Sequence, residues 1–290
     1  MSIVTALAFG AGDFCGGVAT RRAPVVAVLG GAHLVGLVAI TITAVLWGTP
    51  MSWPDVGIGA IAGVFGAAGL IFLYRRLAAG PMFVVAPLTA LTAAVVPALW
   101  SIATGERLTL LVAAGLAIGL VAIALASAAD RQVDDSPVTA TVVIESLVAG
   151  VAFGVFYILF DLTDPDAVPW PVVGARLVTA IPLLVVWQVV VRRRGPDGTR
   201  PARGGEPSDR RWRAETVGLV ALAGLLDTGS NLGFLWATLN GSLAVVSVLT
   251  SLYPVATVAL AWLVFGERAV GRQRLGLLLA IASPVAIALG

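Results

Sequence analysis

The chain has 290 residues, of which 59% are hydrophobic and 12% charged, about half the charged share of an ordinary soluble domain. That balance excludes a water-soluble fold of this length and places the chain in lipid. The net charge of +2 rests on 18 basic residues, all arginine; they serve topology, and no nucleic-acid partner is expected.

Crossing a hydrocarbon core of roughly 30 Å takes about 20 helical residues. Ten apolar runs of that size predict ten spans, near 2–20, 25–47, 55–74, 81–102, 108–127, 139–160, 171–191, 215–236, 242–264 and 270–289. The first has no basic residue before it, so it reads as a span and not as a cleaved leader. It carries Asp13 midway, on a face shared with Gly10 and Gly17, and Cys15, the only cysteine. The second carries His33, the only histidine, among Gly30, Gly31 and Gly36. A single cysteine and a single histidine exclude an intrachain disulfide and the Cys-rich and His-rich metal sites, so no metal and no cofactor are expected.

The fourth span contains Pro87, Thr89 and Pro97 and ends in Gly105-Glu106-Arg107. Glu145 lies one to two turns into the sixth, and Arg176 about a turn into the seventh. Residues 192–213 form a hydrophilic linker rich in Gly, Pro and Arg, suited to lie flexibly against anionic lipid. The eighth span has Asp227 midway with Ser230, Asn231 and Phe234 continuing a stripe. The ninth holds Thr250, Ser251, Tyr253 and Pro254 and ends in Gly266-Glu267-Arg268. In both helix ends the glycine suits a left-handed turn that seats an interfacial ion pair.

Ten crossings put sixteen arginines on one side and Arg107 alone on the other, with Arg176 just inside a span. The rule that cytoplasmic loops are basic makes the first side cytoplasmic and both termini extracytoplasmic. Trp47, Trp53, Trp170 and Trp212 sit near span ends and read as interface anchors.

The repeated tripeptide belongs to a longer match. Residues 80–116 align without a gap on 241–277, with thirteen of thirty-seven positions identical, among them Val84 with Val245 and Thr89 with Thr250. "AFG" at 8–10 recurs at 152–154. This divides the chain into five-span repeats, 1–130 and 139–290. An odd number of spans sends the second copy into the membrane from the opposite side, so the halves are inverted.

The segments "APLTALTAAVVPALW" and "SVLTSLYPVATVALAWLVFGER", with "GAGDFCGGVATRR" in the first span, resemble the EamA-type transporters of the drug/metabolite transporter superfamily and, for the last, their bacterial members. The resemblance implies an all-α integral membrane fold, two inverted five-helix repeats around a central cavity with the fifth and tenth helices peripheral. It implies a carrier in the cell membrane and leaves the solute open. Inverted repeats with a site near the midplane are common among secondary transporters irrespective of family.

An ionisable side chain at a bilayer centre costs roughly 2.5–3.5 kcal/mol on insertion scales and needs water, a partner or a ligand. Asp13, His33, Glu145, Arg176 and Asp227 are therefore the candidate pathway residues, with Asn231, Thr89, Thr250 and Tyr253 beside them. Arg176 is the natural counter-ion for Asp13, Asp227 or an anionic solute, or else reaches the outer headgroups. Proton coupling through Asp13 or Asp227 is the simplest mechanism these residues allow, with facilitated exchange without protons as the alternative. The expected partners are a small-molecule solute, protons and the bilayer. With no lysine and no G-x-x-x-x-G-K-[ST] loop, nucleotide-driven transport is not expected. No nucleophile stands with a base, so no enzyme is expected; the alternative to a carrier is a receptor or scaffold that transports nothing.

Overall fold

The structure is a computed structural model and describes residues 1–79, 82–127, 139–193, 210–265 and 271–289. Among these every regular element is helical: α1 (Ser2–Thr20), α2 (Val25–Trp47), α3 (Trp53–Ala79), α4 (Met82–Ala103), α5 (Leu110–Ser127), α6 (Ala140–Asp161), α7 (Trp170–Arg193), α8 (Arg210–Thr238), α9 (Leu243–Thr250), α10 (Tyr253–Phe265) and α11 (Gly271–Ala288), with one short 3-10 turn at Pro165–Ala167. Among the described residues five stretches are long and apolar enough to cross a membrane: Ser2–Thr20, Val25–Trp47, Trp53–Leu73, Ala140–Asp161 and Ala214–Thr238. Shorter apolar helical stretches are Leu88–Ala103, Leu110–Leu125, Trp170–Leu183 and Leu243–Thr257.

Local chemistry explains the helix ends. Thr139 and Ser242 accept the N–H groups of Val142 and Val245 and so cap α6 and α9. At the end of α4, Gly105 takes a φ of 105°. Its N–H donates to the Ile102 carbonyl at 3.1 Å and that of Glu106 reaches back to Ser101 at 3.1 Å, the paired closure that a left-handed glycine permits. The Glu106 carboxylate takes the Ser101 hydroxyl, so it is held by its own helix. The second copy of the tripeptide, Gly266-Glu267-Arg268, lies outside the described residues.

The ninth expected span is not one helix. It breaks after Thr250 and resumes at Tyr253. Pro254 has no N–H to return to Thr250, and the Val255 N–H turns to Leu252 at 2.9 Å, so the ladder is interrupted over a full turn. In α4, by contrast, the helix runs on through Pro97, which is fully buried.

Small residues set the crossings, as membrane helices without a hydrophobic drive between them require. Gly10 of α1 meets Tyr253 and Ala256 of α10; Gly154 of α6 meets Val96 and Pro97 of α4; Gly59 and Gly63 of α3 meet Pro171 and Ala175 of α7; Gly224 of α8 meets Ala32 of α2. α1 packs on α8, α9 and α10; α6 on α3 and α4; α2 on α7 and α8; α3 on α7; α4 on α9; and α5 on α11.

One end of the bundle is closed. There the Asp164 N–H donates to Asp55 Oδ1 at 2.8 Å and Trp170 Nε1 to the Thr49 carbonyl at 3.0 Å. Beneath these loops lies a cluster that includes Ile40, Ala44, Phe160, Val172, Phe234 and Leu243. At the opposite end Arg22 pairs with Glu215 at 3.4 Å.

Candidate functional site

The ionisable groups of α1, α2, α7 and α8 come together within the bundle, Arg176 lying six residues along α7 from the closed end. Arg176 Nη2 lies 2.5 Å from Asp227 Oδ2. The Arg176 side chain is 7% exposed and that of Asp227 38%, so the pair sits in a wall: its cation is buried in protein and its carboxylate faces open space. Arg176 does not reach for headgroups; it turns inward.

Arg176 Nη1 approaches His33 Nδ1 at 3.5 Å, and Thr179 Oγ1 lies 2.7 Å from the same nitrogen. Thr179 sits one turn beyond Ala175 and its hydroxyl also reaches the Ala175 carbonyl at 3.1 Å. His33 and Thr179 thus hold the buried side of the guanidinium.

Asp13 is exposed although it is midway along α1. It lies within electrostatic range of Asp227 on α8 and of Tyr157 on α6. Gly17, one turn further along α1, is exposed too, and a side chain there would meet nothing within 4 Å. Among the described residues Asp13 makes no ion pair. Tyr157 stacks on Phe234 with ring centroids 4.4 Å apart, and this aromatic pair floors the site against the closed end.

The remaining candidates take other places. Asn231 is buried and its amide donates to the Asp227 carbonyl at 2.8 Å, while Ser230 donates to Leu226 at 2.7 Å; the stripe is bonded largely into its own helix. Thr89 is buried and donates to the Ser146 carbonyl at 3.2 Å, tying α4 to α6. Thr250 is fully buried at the helix break. Tyr253 approaches Phe9 of α1 with centroids 6.4 Å apart. Glu145 is half-buried near the start of α6, three turns from Tyr157 and away from the cluster. Sequence reasoning missed Tyr157 and Thr179. One signal was available for the first: Tyr157 follows Gly154 by three, as Asp13 follows Gly10, within the two "AFG" segments.

Several apolar helices of spanning length, with charged side chains paired between them, define a multi-pass membrane protein. The model of the EamA-like transporter family matches residues 133–289, more than half of the chain, and the chain belongs to that family. No curated protein matches the sequence. A solved structure titled only "Crystal structure of protein" matches with a TM-score of 0.70 at 17% identity, over 99% of this chain and 95% of its own. At that identity the likeness concerns the fold alone.

Proposed function

We propose that the protein is a secondary carrier that moves a small organic solute across the cell membrane by alternating access between two inverted five-helix halves. The observation that carries this reading is the Arg176–Asp227 pair with exposed Asp13 beside it, inside an apolar bundle where unneeded charge is costly.

The packing supports the inverted repeat. Exchange α1 to α5 for α6, α7, α8, α9 with α10, and α11, and the contacts map onto one another. The pair α1 with α8 becomes α6 with α3, α4 with α6 becomes α10 with α1, and α2 with α8 becomes α7 with α3. The pairs α2 with α7, α4 with α9 and α5 with α11 map onto themselves, as contacts on a two-fold axis must. The axis lies in the membrane plane. With α9 and α10 forming one broken span, the count is ten.

The arginine-rich end is cytoplasmic, so the closed end is extracellular and the site opens inward. Both termini are then outside. A reporter fused after Gly290 should report an extracytoplasmic C-terminus and one inserted near Gly204 a cytoplasmic loop; the reverse pattern rejects this orientation.

Of the two acids, Asp13 is the coupling group. Asp227 is occupied by Arg176, whereas Asp13 is free to exchange a proton with the cavity. Thermal-shift screening of metabolite classes on the purified protein identifies the solute. In liposomes, Asp13→Asn should then abolish accumulation driven by a proton gradient while keeping exchange of solute for solute. Accumulation at the parent's level in Asp13→Asn would reject coupling at this residue.

A further inference from the structure

Buried hydroxyls in this bundle have a settled habit. Ser146, Thr179, Ser230 and Ser247 each donate to a carbonyl three or four residues back on their own helix. Thr250 and Ser251 do not. Both residues are fully buried, and among the described residues neither hydroxyl has a hydrogen-bond partner. They are the two residues at which the α9–α10 helix breaks.

The break leaves their carbonyls in the same condition. The Thr250 carbonyl has no N–H four residues ahead because Pro254 carries none, and the Ser251 carbonyl loses that of Val255 to Leu252. Two adjacent buried residues thus carry two hydroxyls without partners and two carbonyls without their usual helical donors at the break. Oxygen acceptors outnumber N–H donors there, and the C-terminal end of α9 adds the negative pole of its dipole. Leaving such groups unsatisfied away from water costs about 1–3 kcal/mol each. A bound cation takes such oxygens as ligands, and unwound carbonyls at half-helix ends are a general means of holding one.

We propose that the break between α9 and α10 is a binding site for a sodium ion, held by the hydroxyl and carbonyl oxygens of Thr250 and Ser251. Hard oxygen donors select a hard cation. No Asp or Glu occurs anywhere in residues 240–262, so the ligand set is neutral and suits one positive charge, not two. Tyr253, the next helical residue, has its carbonyl against Gly10, one turn from Asp13 on α1. An ion at the break therefore fixes α10 against the wall of the cavity. The site stands apart from the solute reading, since binding is measured without any solute.

The test is thermal unfolding of the purified full chain in lipid nanodiscs, titrated with NaCl, KCl or choline chloride at constant ionic strength. Sodium should raise the unfolding temperature saturably and more than the other two salts. Thr250→Val with Ser251→Ala should abolish the rise. Thr228→Val, which removes another buried hydroxyl without a partner but from an unbroken stretch of α8, should keep it. Should the double variant not fold, Ser251→Ala alone should weaken the apparent sodium affinity at least about tenfold. Equal unfolding temperatures in the three salts, a sodium effect that survives in the Ser251 variants, or one lost equally in Thr228→Val would each overturn the proposal.

Discussion

Replacing Arg176 with Met should abolish transport and lower stability by about 3 kcal/mol, the low end of what an orphaned member of a buried ion pair costs. The low end applies because Asp227 keeps access to the cavity. Methionine fills much of the volume, so the loss reports charge and not packing. The second change, Asp227→Asn on top of Arg176→Met, should recover most of the stability and none of the transport. Denaturant unfolding of the two variants beside Asp227→Asn alone closes the cycle. Independent, additive losses would mean that the 2.5 Å contact contributes nothing to the fold.

Gly59→Ala should be among the most damaging glycine-to-alanine changes at the described residues. A Cβ at Gly59 would fall on the carbonyl group and Cα of Pro171, which are backbone atoms that no rotamer change can move. The crossing of α3 on α7 must open, and overpacking of this kind costs about 3 kcal/mol or more. Gly57, two residues earlier on the same helix, has nothing within 4 Å of its would-be Cβ. Gly57→Ala should be neutral or slightly stabilising through helix propensity. Thermal unfolding of the pair separates close approach from mere loss of a glycine. Similar stabilities for the two variants would refute the crossing geometry.

The ion pair also shows what a sequence of this kind exposes and what it hides. Asp13, His33, Arg176 and Asp227 stand out because a charged or imidazole side chain within an apolar run is conspicuous for its cost. Their partnership is hidden. Arg176 is counted from the start of its own span, about a turn in, which suggests a reach to the surface; only the packing of α7 on α2 and α8 brings it to Asp227. Tyr157 and Thr179 escaped notice for the opposite reason, since aromatic and hydroxyl residues are ordinary in membrane helices and carry no warning.

The ninth span teaches the same point about fold. Pro254 announces a kink, but that the ladder opens across Ser251 and Leu252 depends on where the Val255 N–H turns, which is a matter of neighbours. The helices themselves were readable because lipid leaves the backbone few other choices. Glu145 met the same criterion as the four clustered residues, and the structure sets it elsewhere. Rarity marks candidates; depth and facing sort them.

The polar interior draws unequally on the two halves of the chain. Residues 1–130 supply Asp13 and His33, while 139–290 supply Tyr157, Arg176, Thr179 and Asp227. On the proposed symmetry Asp13 and Tyr157 are counterparts, as are His33 and Arg176. An ancestral dimer of identical halves would have set like against like at each of these positions, acid against acid or guanidinium against guanidinium. In this chain the counterparts differ, so the two sides of the polar interior are not equivalent. On that reading the two sides of the interior present different chemistry to whatever enters between them.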